Sequence, residues 1–300
     1  MSHGLDYKFN GIRGTVAVLL FVCTWFVFVA RTFSAPLSFA GVPLTAGIPV
    51  RADVPLSKVE RSYVEEGGNA APPHSVAVLA VPRGFDPQKS WPVLVPFASS
   101  DHLYPNSHDL LLYRATALAE GWILLAGDGP TPAPRIDSSG WRAGHTLAAL
   151  DALHRSFPGS ERWPLALAGQ SGGAKRASYL APLFAVGGYH VIGVFLEGIN
   201  EDKMTEGYRR FKPGKDFLRT PIFLSSGLHD PIATLAQQTA VQDSMRRTGF
   251  ENIRHETFNN GHVVVPAQVR KALRWFQSSA LRSTPNHAME PTADRCTLHI

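Results

Sequence analysis

Leu165-Ala166-Leu167-Ala168-Gly169-Gln170-Ser171-Gly172-Gly173-Ala174-Lys175-Arg176 is the stretch that decides the fold. An apolar run stops at Gly-x-Ser-x-Gly, and a small-residue segment compatible with a helix follows, residues 174–185. A strand that runs through a very tight turn directly into a helix forces the turn residue into a strained backbone conformation. Its side chain then stands clear of the sheet edge. Gly169 and Gly173 leave room for strand and helix to approach, and Gly172 offers its N–H with no side chain in the way. The order strand, turn, helix matters more than the five letters, because a chain with 26 glycines meets them easily by chance. In that order Ser171 stands at the positive end of a helix.

Outward from this turn, the pattern repeats. Residues 58–66 and 75–81 read as β-strands, the second from its Val-Ala-Val-Leu-Ala-Val run. Residues 92–97 and 122–126 read as short buried strands. Between them 109–120 has helical periodicity and stops at Gly121, and 139–157 is a long helix ended by Pro158-Gly159. Beyond Ser171, strands are expected at 191–196, 221–226 and 253–258, and helices at 234–248 and 266–279. A polar, mixed segment spans 197–220. Strands that are apolar on both faces and alternate with helices predict an α/β fold with a mainly parallel, doubly wound sheet covered on both sides.

With 300 residues, 44% of them hydrophobic, the chain can bury a sizeable core. The formal charge of +5 shrinks over residues 41–281, where 24 Lys and Arg face 21 Asp and Glu. The basic clusters (Lys175-Arg176, Arg209-Arg210, Arg246-Arg247) are short and interleaved with acids, so no nucleic-acid partner is expected. Cys23 and Cys296 are the only cysteines and both fall outside the central pattern, which leaves no disulfide framework, Cys nucleophile or Cys-ligated metal. The twelve histidines form neither His-x-x-x-His nor His-Glu-x-x-His, and no Gly-rich phosphate loop follows a first strand. No metal and no cofactor is expected.

Ahead of the domain, Lys8 and Arg13 precede sixteen residues without a charge, 15–30, then Arg31 and the small-x-Ala site Ser38-Phe39-Ala40. A basic start, an apolar core and such a site describe a secretory signal. Sixteen residues at about 1.5 Å each fall a little short of a roughly 30 Å hydrocarbon core, although Trp25, Phe26 and Phe28 suit an uncleaved anchor. The expected organisation is therefore a signal peptide or membrane anchor at 1–40 and a Pro/Gly-rich linker at 41–57. The α/β domain follows at 58–281 and a disordered tail at 282–300. The domain is expected to be exported, or tethered outside the cytoplasm through residues 15–30.

A serine hydroxyl needs an imidazole to take its proton, and the imidazole needs a carboxylate to hold it. In a parallel sheet, residues just past the C-terminal strand ends converge on one edge. Asp230, in Ser226-Gly-Leu-His-Asp230-Pro, and His262, in Asn259-Asn-Gly261-His262, occupy such positions. Glu197, directly after another strand, is the rival acid. Asp101, His102, Asp128 and His229 are expected along the same edge, and Trp141, Tyr104 and Tyr208 are candidate pocket walls.

The order Ser171, Asp230, His262, within this element pattern, resembles the α/β-hydrolase superfamily over residues 75–276, nearest to its capless esterase and dienelactone-hydrolase-like branches. The resemblance implies that Ser171 is the nucleophile, Asp230 the orienting acid and His262 the general base and acid. It implies an oxyanion hole built from the Gly172 N–H plus one from the loop after strand 92–97, at Ala98 or Ser99. That loop reads Phe97-Ala98-Ser99-Ser100 where many relatives carry His-Gly, so the second donor stays open. The implied activity is cleavage of a small-molecule carboxylic ester through an acyl-enzyme. The competing readings are a non-catalytic, membrane-tethered binding protein and a secreted serine peptidase.

Overall fold

The computed structural model describes Met1 and residues 36–66, 68–99, 104–130 and 139–283. The apolar segment 15–30, both cysteines, Ser100, Asp101, His102 and the tail from 284 onward lie outside these residues. Among the described residues no helix is long and apolar enough to cross a membrane.

A small antiparallel hairpin, β1 (Ser38–Phe39) and β2 (Val42–Pro43), opens the domain and is followed by β3 (Val50–Pro55) and α1 (Lys58–Glu66). Then come β4 (His74–Ala80), β5 (Val93–Phe97), α2 (Asn106–Ala119), β6 (Ile123–Asp128) and α3 (Ser139–Ser156). The central unit is β7 (Leu165–Gln170), α4 (Gly172–Val186) and β8 (Val191–Glu197). The chain closes with α5 (Lys203–Phe211), β9 (Ile222–Gly227), α6 (Leu235–Thr248), β10 (Ile253–Phe258) and α7 (Pro266–Ser283).

Eight strands form one sheet in the order β10-β9-β8-β7-β5-β6-β4-β3. From β10 to β6 every neighbour is parallel, and only β4 and β3 run antiparallel. All residues of β5, β6 and β9 are buried, as strands covered on both faces require. One core, on the side of α1, α3, α4, α5 and α6, gathers Val95, Leu167, Ala174, Leu180, Met204 and Met245. The other, under α2 and α7, gathers Leu94, Ala166, Tyr113, Phe195 and Phe276. The expected mainly parallel, doubly wound sheet is thus the observed one.

Two stretches differ from the sequence reading. Residues 58–66, expected as a strand, form α1. Ser57 accepts the Glu60 N–H on its hydroxyl at 3.3 Å, while the Glu60 carboxylate accepts the Ser57 N–H. This is a reciprocal capping box, and the Ser-x-x-Glu spelling announces it. The expected linker 41–57 holds β2 and β3. Ala52 and Val54 of β3 are buried while Arg51 and Asp53 are exposed, an edge strand with one face on the core.

The small-x-Ala site at 38–40 is part of this folded start. Phe39 has no exposed surface and belongs to the main core, and the Ala40 N–H donates to Ser156 Oγ at 3.0 Å. Truncating a buried phenylalanine costs about 3–5 kcal/mol, so Phe39→Ala is expected to lower stability by roughly that amount in urea unfolding. Amino-terminal sequencing of the mature protein should find Phe39 still attached.

Candidate active site

The link between β7 and α4 shows how the sequence makes a strained turn. Ser171 adopts φ 55° and ψ −120°, a left-handed conformation that a side chain rarely takes, and it is half-buried. A Cβ on Gly169 would collide with the Gly173 carbonyl, and one on Gly173 with the Phe97 carbonyl. Strand, turn and helix therefore fit only with glycine at both places. The Ser171 N–H donates to the Glu197 carbonyl at 2.8 Å, tying the turn to the end of β8.

Asp230 and His262 meet at the same edge, where their Oδ2 and Nδ1 atoms lie 2.7 Å apart. The Asp230 side chain is fully buried and that of His262 nearly so. Asp230 Oδ1 accepts the Ile232 and Ala233 N–H groups at 2.8 and 2.9 Å, which fixes the carboxylate. Burial works against its charge, but the Ala233 N–H, the His262 ring and the Ile232 N–H outweigh it and hold the carboxyl below its ordinary range. The loop carrying His262 is held by Gln170, whose side-chain amide donates to the His262 carbonyl at 2.8 Å. The ring lies over Gly198, at φ +58°, where a Cβ would stand 2.6 Å from its Cε1.

Ser171 and His262 are thus joined through their neighbours: Gln170 grips the His262 main chain, and Glu197-Gly198 touches both residues. His262 Nε2, the nitrogen opposite Asp230, is buried and, among the described residues, has no hydrogen-bond partner, Ser171 included. Catalytic hydrogen bonds often tighten only when substrate is bound.

Glu197, the rival acid, does not hold the ring. Its side chain has no exposed surface and, among the described residues, neither carboxyl oxygen has a hydrogen-bond partner of good geometry. Burial, opposed in part by the Ser225 hydroxyl and reinforced by the Asp230 charge, pushes its pKa up to about 9, so it is neutral near pH 7.

The second oxyanion donor expected at Ala98 or Ser99 is otherwise engaged. The Ala98 N–H donates to Asn106 Oδ1 at 3.2 Å and the Ser99 N–H to Asp109 Oδ2 at 3.1 Å. Both acceptors sit in the first turn of α2, and Asn106 is itself anchored, its Nδ2 donating to the Gly127 carbonyl at 3.0 Å. The sequence pattern marks Asp109 only as a helix start. In the unread roles of Asn106, Asp109, Gln170 and Gly198 the sole sequence signals were a polar helix start and a glycine after a strand.

The remaining described candidates lie apart from the Asp230–His262 pair in their contacts. Asp128 accepts the Ser107 N–H at 3.1 Å and lies 3.7 Å from Arg51, and burial raises its pKa. His229 is exposed and meets Asn259 at 2.8 Å. Trp141 is buried, and Tyr208 packs in an aromatic cluster with Phe217 and Phe250. Tyr104 is exposed and stacks on His108 with ring centres 4.0 Å apart. A second serine–histidine pair, Ser75 and His145 at 2.9 Å, is wholly buried and out of substrate reach. Burial, with Arg142 nearby, lowers the pKa of His145 to about 4.

No family model and no curated protein sequence matches the chain. Solved structures do. An esterase of Pyrococcus furiosus is similar at 12% identity, with a TM-score of 0.50 over 77% of this chain and 90% of that one. A Bacteroides ovatus protein described as a dipeptidyl aminopeptidase IV is similar at 15% identity and a TM-score of 0.50, over 77% of this chain and 36% of that one. The chain thus spans about a third of the Bacteroides protein. At 17% identity, a Bacillus cereus carboxylesterase aligns over 68% of this chain and 93% of its own, with a TM-score of 0.45. The chain has the α/β-hydrolase fold.

Proposed function

We propose that this protein is a serine hydrolase that cleaves carboxylic esters of small molecules through an acyl-enzyme on Ser171. The observation that carries the reading is the buried Asp230–His262 pair, 2.7 Å apart, set beside a serine held at φ 55° between strand and helix. Asp230 keeps the proton on Nδ1, which leaves Nε2 as the base. His262 takes the Ser171 proton as Oγ attacks the acyl carbon, then returns that proton to the leaving alcohol. Water repeats the cycle on the acyl-enzyme.

The surroundings fit a small ester. Leu228, Ile232, Leu235 and Val263 are exposed on the loops and helix start that carry Asp230 and His262, an apolar rim for an acyl or alkyl group. The 197–220 segment packs Met204 and Phe211 of α5 into the core and does not form a lid. The esterase names among the similar structures agree with this reading. Export, or tethering through residues 15–30, completes the proposal and places the reaction outside the cytoplasm.

The engaged Ala98 and Ser99 N–H groups favour one second reading, a binding protein on the same fold. Incubation of the purified protein with short-chain p-nitrophenyl esters separates the two. Turnover lost in Ser171→Ala supports the hydrolase, and no turnover at any acyl length supports the binder. Cleavage of chromogenic peptides in place of esters would point to a peptidase.

A further inference from the structure

Asp230 is carried by a loop, and that loop is gripped from behind. Ala233 is fixed at both ends: its N–H donates to Asp230 Oδ1 at 2.9 Å, and its carbonyl accepts the Gln238 side-chain amide at 2.7 Å. Gln238 has no exposed surface and lies near the start of α6, just past the Thr234–Gln237 capping box. Its Oε1 accepts the Ser226 hydroxyl at 2.6 Å, and Ser226 Oγ lies 2.7 Å from His255 Nε2 on β10. These partners leave one arrangement of protons. The Ala233 carbonyl can only accept, so Nε2 of Gln238 faces it and Oε1 faces Ser226. The single Ser226 proton then goes to Gln238, and His255 donates from Nε2 to the Ser226 oxygen. The sheet, through Ser226 of β9, thus sets the direction of the amide, and the amide holds the residue that holds Asp230.

We propose that Gln238 is a positioning residue for the catalytic acid, acting through Ala233 and oriented by Ser226. This rests on the reading of Asp230 and His262 as the catalytic pair. A buried amide is costly unless its bonds are made, and an apolar side chain would fill the same space under α6. The helix does not need the amide to begin, because Thr234 already caps it. What the amide adds is a fixed Ala233, and through the Ala233 N–H a carboxylate that cannot turn. Its other oxygen, Oδ2, then stays 2.7 Å from His262 Nδ1 while the ring takes the Ser171 proton and gives it to the leaving group. No bond between Ser226, Gln238 and Ala233 breaks in this cycle, so the amide touches neither substrate nor the moving proton.

The test measures kcat and KM on p-nitrophenyl esters, and the proton NMR signal of His262 Nδ1–H, in the full-length protein. Wild type is compared with Gln238→Met, which fills a similar volume and donates to nothing. Rates are counted per Ser171 that takes up a fluorophosphonate, so unfolded protein does not enter them. Gln238→Met should lower kcat by about 10–10²-fold with KM nearly unchanged, and should move the Nδ1–H signal from its wild-type position. Ser226→Ala keeps the amide but frees it to turn. It should lower kcat by a smaller factor, and it carries the test if Gln238→Met does not fold. Wild-type kcat in Gln238→Met, or in Ser226→Ala where only that variant folds, overturns the proposal. A fall in kcat with the Nδ1–H signal unmoved, or a change confined to KM, overturns it as well. If wild type labels and Gln238→Met turns over equally fast, the role of Gln238 falls and the hydrolase stands. If wild type does not label at all, both fall.

Discussion

Asp230→Asn is expected to lower kcat by about 10⁴-fold while leaving the fold and KM largely intact. The asparagine Oδ1 can still accept the Ile232 and Ala233 N–H groups, so the loop keeps its shape. The change falls on the other atom, where an NH₂ would replace the oxygen that faces His262 Nδ1 at 2.7 Å. The ring would then have to accept at Nδ1 and carry its proton on Nε2, the wrong nitrogen for a base directed at Ser171. Steady-state kinetics with thermal melting as a control measures this. Activity near wild type in Asp230→Asn, with activity lost in Glu197→Gln, would move the acid to the end of β8.

Glu197→Gln is expected to raise stability by roughly 2–4 kcal/mol at pH 7.5, with no gain near pH 4. In the folded chain this carboxyl titrates at about 9, against an ordinary value of 4.5. Between those values the native state holds a proton that the unfolded chain has released, so stability falls as pH rises, by about 1.4 kcal/mol per unit. Glutamine fills the same volume and has no proton to gain. The penalty is large because burial outweighs the support that the Ser225 hydroxyl gives a charge, and Asp230 adds to it. Urea titrations at pH 4.5 and 8 test the sign. Equal midpoints for wild type and Glu197→Gln at pH 8 would contradict it.

Most of the sheet was legible because its strands are buried on both faces. Runs such as Leu165-Ala-Leu-Ala and Trp122-Ile-Leu-Leu-Ala have no other use in a chain of this composition, and their alternation with helices dictates parallel pairing. The errors lie at the edge, where burial is half and the pattern weak. Val50-Arg-Ala-Asp-Val-Pro alternates as an edge strand should, yet its charges and flanking prolines resemble a linker. Residues 58–66 place Val59, Tyr63 and Val64 where a short strand and a helix share apolar positions. Only the Ser57–Glu60 capping box decides between them.

In the site, the pairing of Asp230 with His262 could be read because residues past parallel strand ends must share a rim. The destinations of the Ala98 and Ser99 N–H groups could not. They depend on how α2 enters the sheet, which local sequence does not encode.

The most direct test of the central claim is intact-mass and peptide mapping after reaction with a fluorophosphonate. The account predicts a single adduct on Ser171, absent in Ser171→Ala and slowed by orders of magnitude in His262→Ala. A wild-type protein that takes up no label, or an adduct that survives Ser171→Ala, would contradict it.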